Sequence, residues 1–287
     1  MIRREDIIQE LTNRDYKVEA HTSIKNGVEF DGIRFMNDDG ICPVIYTDEI
    51  IADSESLSEA VEKAIDIYNN ADIMDFNKDN LLDSDFIMGN LYIGMQKTST
   101  ENIVRSDTDF EGIEKYLYVK MNENASFKLT YGLLETLKIS QEEAWKAAEI
   151  ITFAKTEIVS MSEKLSELMG QEIEEMEGVP VQYIVTNTMN FRGASAILDG
   201  EALKKLAERL SVQRFYVLPS SIHEMIIIPD DGKCNIEEFS RMVQEVNQTQ
   251  VEPEERLTDQ AYIIEVWKSG FYGGWYEKIL LQCRRKK

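Results

Sequence analysis

The stretch from Arg214 to Asn247 constrains the fold more than any other part of the chain. "RFYVLPSSIHEMIIIP" sets two apolar, β-branched runs around Pro219, Ser220 and Ser221, whose side chains favour a turn. The second strand is expected from His223 to Ile228, with its four apolar residues buried. "NIEEFSRMVQEVN" follows at helical spacing, opened by Asn235 with Glu238 three residues on. A hairpin followed by a helix builds an antiparallel sheet, since parallel neighbours need a crossover between them. Just upstream, "VQYIVTN" reads as a strand, "TMNFRG" as a turn, "ASAIL" as a short buried strand and "DGEALKKLAERL" as a helix. The order is therefore β-β-α-β-β-α, and β-β-α recurs at 28–70 and 113–156. The expected fold class is α+β: repeated β-β-α units, largely antiparallel sheets with helices packed on one face.

The N-terminal part reads as a small α-β-β-β-α domain over residues 1–72. Its first helix spans Arg4 to Asn13, with Ile7, Ile8 and Leu11 on one face. Asn26-Gly27 marks a hairpin, Asn37 to Gly40 a second turn, and Ser56 with Glu59 a capping box before the next helix. Residues 73–287 form a larger α+β domain containing the repeat. The connector resembles a calcium loop, with Asp75, Asn77, Asp79 and Asp83 near ligand positions. Asn80 and Phe86 stand where the loop requires glycine and a bidentate glutamate, so no calcium site is expected. Further on, "IEKYLYVKM" and "SFKLTYGLL" read as paired strands. "ISQEEAWKAAEIITFAKTEIVSMSEKLSELM" reads as helix with a break near Ser160, and "AYIIEVW" as a last strand.

Charge and composition exclude several function classes. Thirty-one basic against 53 acidic residues give a net charge of -22, which repels nucleic acid and anionic lipid at long range. "MIRREDIIQEL" has no apolar core of a signal peptide, and no apolar stretch reaches the roughly 18 residues of a membrane span. Cys42, Cys234 and Cys283 are odd in number and far apart, which suits free thiols in a reducing cytosol. The expected location is cytoplasmic. With His21 and His223 the only histidines, no zinc-protease motif exists; phosphate-loop, dinucleotide and nucleophile-elbow motifs are absent too. No cofactor and no metal are expected.

Chemistry concentrates at two turns. Ser220, Ser221, His223 and Glu224 supply the residue types of a nucleophilic triad. In an extended segment, however, Ser221 and His223 lie about 6.5 Å apart and Glu224 faces the other way. Asn187 and Arg192 sit in the turn of the neighbouring half. If both turns meet at one sheet edge, they gather an amide, a guanidinium, two hydroxyls and an imidazole. Such a set suits recognition of an anion or a peptide end better than bond cleavage.

"YIVTNTMNFRGASAIL", "LPSSIHEMIIIP" and "MVQEVNQTQVEPEERLTD" together resemble an uncharacterised family of bacterial proteins common in anaerobic Gram-positive gut bacteria, which carries a domain of unknown function. The family's pattern falls on Tyr183 to Asn187, Gly193-Ala194, Leu218 to Glu224 and Glu245 to Asn247, and this last motif adds Asn247 to the candidate set. The resemblance implies no activity. The expected function is a non-catalytic cytoplasmic interaction or regulatory protein with a protein partner, binding neither nucleic acid nor membrane. The alternative is a hydrolase-like enzyme using His223 with Ser220 or Ser221. A separation of the two turns beyond about 10 Å would end the shared-site reading, since direct contacts need about 3 Å.

Overall fold

The computed structural model describes residues 2–36, 43–70, 78–122, 125–173, 180–266 and 282–283. The chain divides into two compact units, Met1–Lys78 and Asp79–Lys287.

In the first unit, α1 (Arg4–Asn13) leads into β1 (Val18–Lys25), β2 (Val28–Phe35) and β3 (Val44–Tyr46). The strands form one antiparallel sheet in the order β1-β2-β3. The hairpin between β1 and β2 turns on Asn26 and Gly27, both at positive φ (49° and 80°), as the twist of paired strands favours. Two helices follow, α2 (Thr47–Ala52) and α3 (Leu57–Asn70). The Ser56 hydroxyl accepts from the Glu59 amide, as the capping pattern predicts. Ile33 and Phe35 of β2 point to one face, where they meet Ile7, Leu11, Ile45, Ala60, Val61 and Ala64. Phe35 stacks on Tyr68 at 4.3 Å. Asn37 to Gly40, Cys42, Asp75 and Asn77 lie outside the described residues.

The second unit holds two antiparallel sheets. After α4 (Ser84–Gly89) come β4 (Leu91–Lys97), β5 (Arg105–Asp107), β6 (Ile113–Lys120) and β7 (Ser126–Lys128). The order is β4-β6-β5, with β7 also on β6. Alternation sorts this sheet cleanly. Leu91, Ile93, Leu117 and Val119 face a core shared with Ala144 and Ala148, while Tyr92, Tyr116 and Tyr118 face the other way. Next come α5 (Tyr131–Leu137), α6 (Gln141–Phe153), β8 (Thr156–Ser160) and α7 (Met161–Met169). The rest is β9 (Tyr183–Asn187), a 3-10 segment over Gly193–Leu198, α8 (Gly200–Leu210), β10 (Arg214–Ser221), β11 (Glu224–Pro229), α9 (Ile236–Gln250), β12 (Tyr262–Glu265) and β13 (Gln282–Cys283). The large sheet runs β13-β12-β10-β11-β9-β8.

The fold is thus α+β with antiparallel sheets, as the pattern implies. In the large sheet both faces are covered. Phe215 and Val217 pack with Leu203, Leu206 and Ala207 of α8, whereas Tyr216, Leu218 and Ile228 pack with Val243 of α9. This is why the run Met225 to Ile228 is apolar without a polar alternation: Met225, Ile227 and Ile228 are buried, while Ile226, expected to be buried too, is only partly so.

Four local expectations need correction. "ASAIL" is a 3-10 helix; a short run buried throughout has no period to distinguish it from a strand. The hairpin turns at Ile222-His223, because Pro219 to Ser221 remain in β10, where the register slips between Pro219 and Ser221. "TYGLL" opens α5, capped by the Thr130 hydroxyl. The long helix around Phe153 to Ser160 is interrupted by β8, whose Ile158 and Val159 pair with β9.

Phe215 is fully buried at the centre of the α8-covered core. Phe215→Ala should lower stability by about 3–5 kcal/mol, seen as a lower urea midpoint with an unchanged slope.

Candidate functional site

The two turns meet. The backbone N–H of Arg192 donates to His223 Nδ1 at 3.1 Å, and Ala194 N–H donates to the Ile222 carbonyl at 3.2 Å. The Thr186 hydroxyl donates to the His223 carbonyl at 2.9 Å. Gly193 lies at the closest point, where a Cβ would come within 2.5 Å of the His223 oxygen and 2.8 Å of the Asn187 nitrogen. Only a residue without a side chain lets these two backbones pass.

Most of the polar side chains at this junction are engaged in holding it. Asn187 is 3% exposed; its amide donates to the Phe191 carbonyl at 2.9 Å and its carbonyl oxygen accepts from Met189 N–H at 3.0 Å. It shapes the turn that carries Arg192. Ser221 Oγ accepts from His223 N–H at 3.0 Å, and Ser220 Oγ donates to Glu224 at 3.3 Å. His223 Nε2 reaches Glu255 Oε1 at 3.3 Å, and the Glu255 carbonyl accepts from Ile222 N–H at 2.8 Å. These partners select the neutral Nε2–H form of His223. A proton on Nδ1 would set donor against donor at Arg192.

Both ring nitrogens are therefore occupied, and neither by a serine. The Ser–His pair that a hydrolase would need is not assembled among the described residues, although the segment supplies its residue types. Asn187, Arg192, Ser221 and His223 are brought together, with Ser220 and Glu224 at the same hairpin end. Asn247 makes none of these contacts. Buried on α9 at 1% exposure, it donates to Thr258 O at 3.0 Å and Asp259 Oδ1 at 2.7 Å, pinning that loop.

Arg192 differs from its neighbours. Its guanidinium lies over three rings, with the central carbon 5.7 Å from Tyr116, 5.3 Å from Tyr118 and 5.1 Å from Phe191. Nη1 donates to the Tyr116 hydroxyl, and Nε is buried with no hydrogen-bond partner. Its backbone is left-handed, at φ 52°. Burial pushes the Tyr116 and Tyr118 phenols upward, more than the nearby guanidinium pulls them down, so the rings stay neutral.

Beneath Tyr116 runs a charged network absent from the sequence reading. Glu114 is fully buried, accepting from Gln96 at 2.7 Å, Ser99 at 2.8 Å and Arg105 at 2.7 Å. Lys128 meets Glu101 at 2.7 Å and lies 5.2 Å from the Tyr116 ring centre. The tyrosine face was legible in principle, since Tyr116 and Tyr118 alternate within "IEKYLYVKM". Glu255 was not, because only the fold brings its loop to His223.

Two outcomes are expected here. Gly193→Ala should destabilise by about 1–3 kcal/mol, since the Thr186 hydroxyl and two backbone atoms, the His223 oxygen and the Asn187 nitrogen, all oppose the new methyl; chemical denaturation measures it. Burial raises the Glu114 carboxyl, but bonds from Gln96, Ser99 and Arg105 outweigh it and hold the pKa below the ordinary value. A depressed folded value means that its stabilisation is present above the unfolded pKa, about 4.3, and fades as pH falls through the folded one. Stability measured against pH should therefore drop in acid, and Glu114→Gln should flatten that drop while being less stable at pH 7.

The model of a family of unknown function, DUF5688, matches residues 3–265. Comparison with curated proteins and with solved structures found no match. The matched span includes both turns, the tyrosine face and the Glu255 loop, and the chain belongs to this family of unknown function.

Proposed function

We propose that the protein is a non-catalytic cytoplasmic recognition protein whose Arg192 reads a carboxylate on a protein or peptide partner. One observation carries this reading: Arg192 combines a left-handed backbone with a buried Nε that has no hydrogen-bond partner. A left-handed backbone at a residue other than glycine costs about 1–2 kcal/mol. A buried, unpartnered donor costs about 1–3 kcal/mol. Native structures keep such costs mainly where they serve a site.

The chemistry fits an anion. Arg192 has aromatic rings and a phenol around it, and no ion-pair partner among the described residues. Guanidinium groups bind carboxylates through paired hydrogen bonds. The half-buried setting strengthens such a bond relative to water. His223 and Asn187 act here as braces, fixing the backbone from which Arg192 projects. The acidic chain disfavours nucleic acid and anionic membrane as the partner. No described helix is long and apolar enough to cross a membrane.

A short peptide with a free C-terminal carboxylate, compared with its amide, tests the reading by NMR. The acid should shift the Phe191 and Tyr118 ring signals and the amide should not, and Arg192→Gln should abolish the response while keeping the fold. Equal response to acid and amide would contradict the proposal. Hydrolysis of a peptide or ester dependent on His223 would replace it with the enzymatic alternative.

A further inference from the structure

Among the described residues, β8 is the outermost strand of the large sheet. Its register with β9 fixes which of its backbone groups are spent. Thr188 N–H donates to the Lys155 carbonyl at 3.0 Å, and Met161 N–H to the Gln182 carbonyl at 2.8 Å. Both are pairs of the same register that sets Thr156 against Asn187 and Ile158 against Val185. In an antiparallel ladder, bonded and non-bonded pairs alternate. The odd-numbered residues therefore bond to β9, and the N–H and C=O of Thr156 and Ile158 point outward. Ser160 confirms the phase: its outward N–H donates to Glu163 at 3.0 Å within the cap of α7. No hydrogen bond joins the Thr156 or Ile158 backbone to another described residue outside the sheet.

This open edge borders a cleft of about 270 Å³, lined by Thr156 and Ile158 from β8 and by Ala202, Lys205, Leu206 and Arg209 from α8. Thr156 Oγ1 is buried and has no hydrogen-bond partner. Lys205 and Arg209 are one helical turn apart and exposed, and neither has an ion-pair partner among the described residues. Arg209 lies 5.9 Å from the Tyr183 ring centre. The carboxylate that feels it is Glu163, which the Ser160 amide and hydroxyl hold low, with a smaller contribution from Arg209. In a chain of net charge -22, two cations left facing a concave surface mark it as complementary to an anion.

The geometry points to β8 as a docking edge for an extended acidic segment of a partner protein. The segment adds as a new outer strand, bonding to the Thr156 and Ile158 backbone. Alternate side chains of a strand face one side, so its acidic residues reach Lys205 and Arg209 while the intervening ones face away. Backbone bonds supply affinity and the cations supply selectivity, the usual division in strand addition. The site shares no residue with the Arg192 junction and stands independently of it.

The test uses the full chain and a fluorescent octapeptide alternating valine and glutamate. The peptide should bind, and the exposed-site double variant Lys205→Glu/Arg209→Glu should weaken binding by about tenfold or more. The same peptide N-methylated at alternate backbone nitrogens should lose a similar factor, because it keeps its charges but not its ladder. No binding at millimolar peptide, or equal binding by the double variant, would overturn the proposal. Equal binding of the N-methylated peptide, or competition by free glutamate at the same concentration, would reduce the cleft to a small-anion site and overturn strand addition. Self-association of the wild type that vanishes in the double variant would make the occupant a second copy of this chain and overturn the choice of a partner.

Discussion

At Gly193 two turns of the large sheet approach until one backbone nearly touches the other, with the His223 oxygen 2.5 Å from where a Cβ would stand. The Arg192–His223 bond, the Ala194–Ile222 bond and the Thr186–His223 bond all depend on that approach. It also sets the left-handed turn at Arg192 against the tyrosine face of the smaller sheet. A side chain at 193 would separate the two turns and remove the platform on which the guanidinium rests.

The electrostatics of the second unit follow from this packing. Buried carboxylates survive only when they are paired and bonded. Glu114 meets this condition through Gln96, Ser99 and Arg105, and the partly buried Glu101 is paired with Lys128. These charges satisfy one another within the small sheet. Arg192 does not share a carboxylate with them. Its partners are three aromatic faces and a phenol, which attract a cation more weakly than a carboxylate would. This is the guanidinium to which the proposed function assigns a partner's carboxylate.

Much of the architecture was legible because local rules agreed with the tertiary outcome. The α1 helix, the Asn26-Gly27 turn, the Ser56 hydroxyl cap on the Glu59 amide and the presence of a hairpin before α9 all follow from turn chemistry and periodicity. Failures came where the core overrode local pattern. β8 sits inside a helical-looking run because its β-branched residues find a strand partner nearly thirty residues on. "ASAIL" is buried throughout, so nothing in its sequence separates a strand from a 3-10 turn. At the site, residue types were legible and roles were not. Asn187, Ser221 and His223 read as chemical groups, yet their hydrogen bonds brace the backbone. Arg192 was in view as one member of a set, but its isolation depends on Tyr116 and Tyr118, which arrive from a different sheet.

The role proposed for Arg192 rests on His223 being a structural brace with both nitrogens engaged. Nitrogen-15 NMR of the imidazole in the full chain at neutral pH tests it most directly. The account predicts a single neutral Nε2–H form, with Nδ1 showing the shift of a hydrogen-bond acceptor and a coupling to the Arg192 amide. A ring carrying its proton on Nδ1, or one exchanging freely between tautomers, would contradict it.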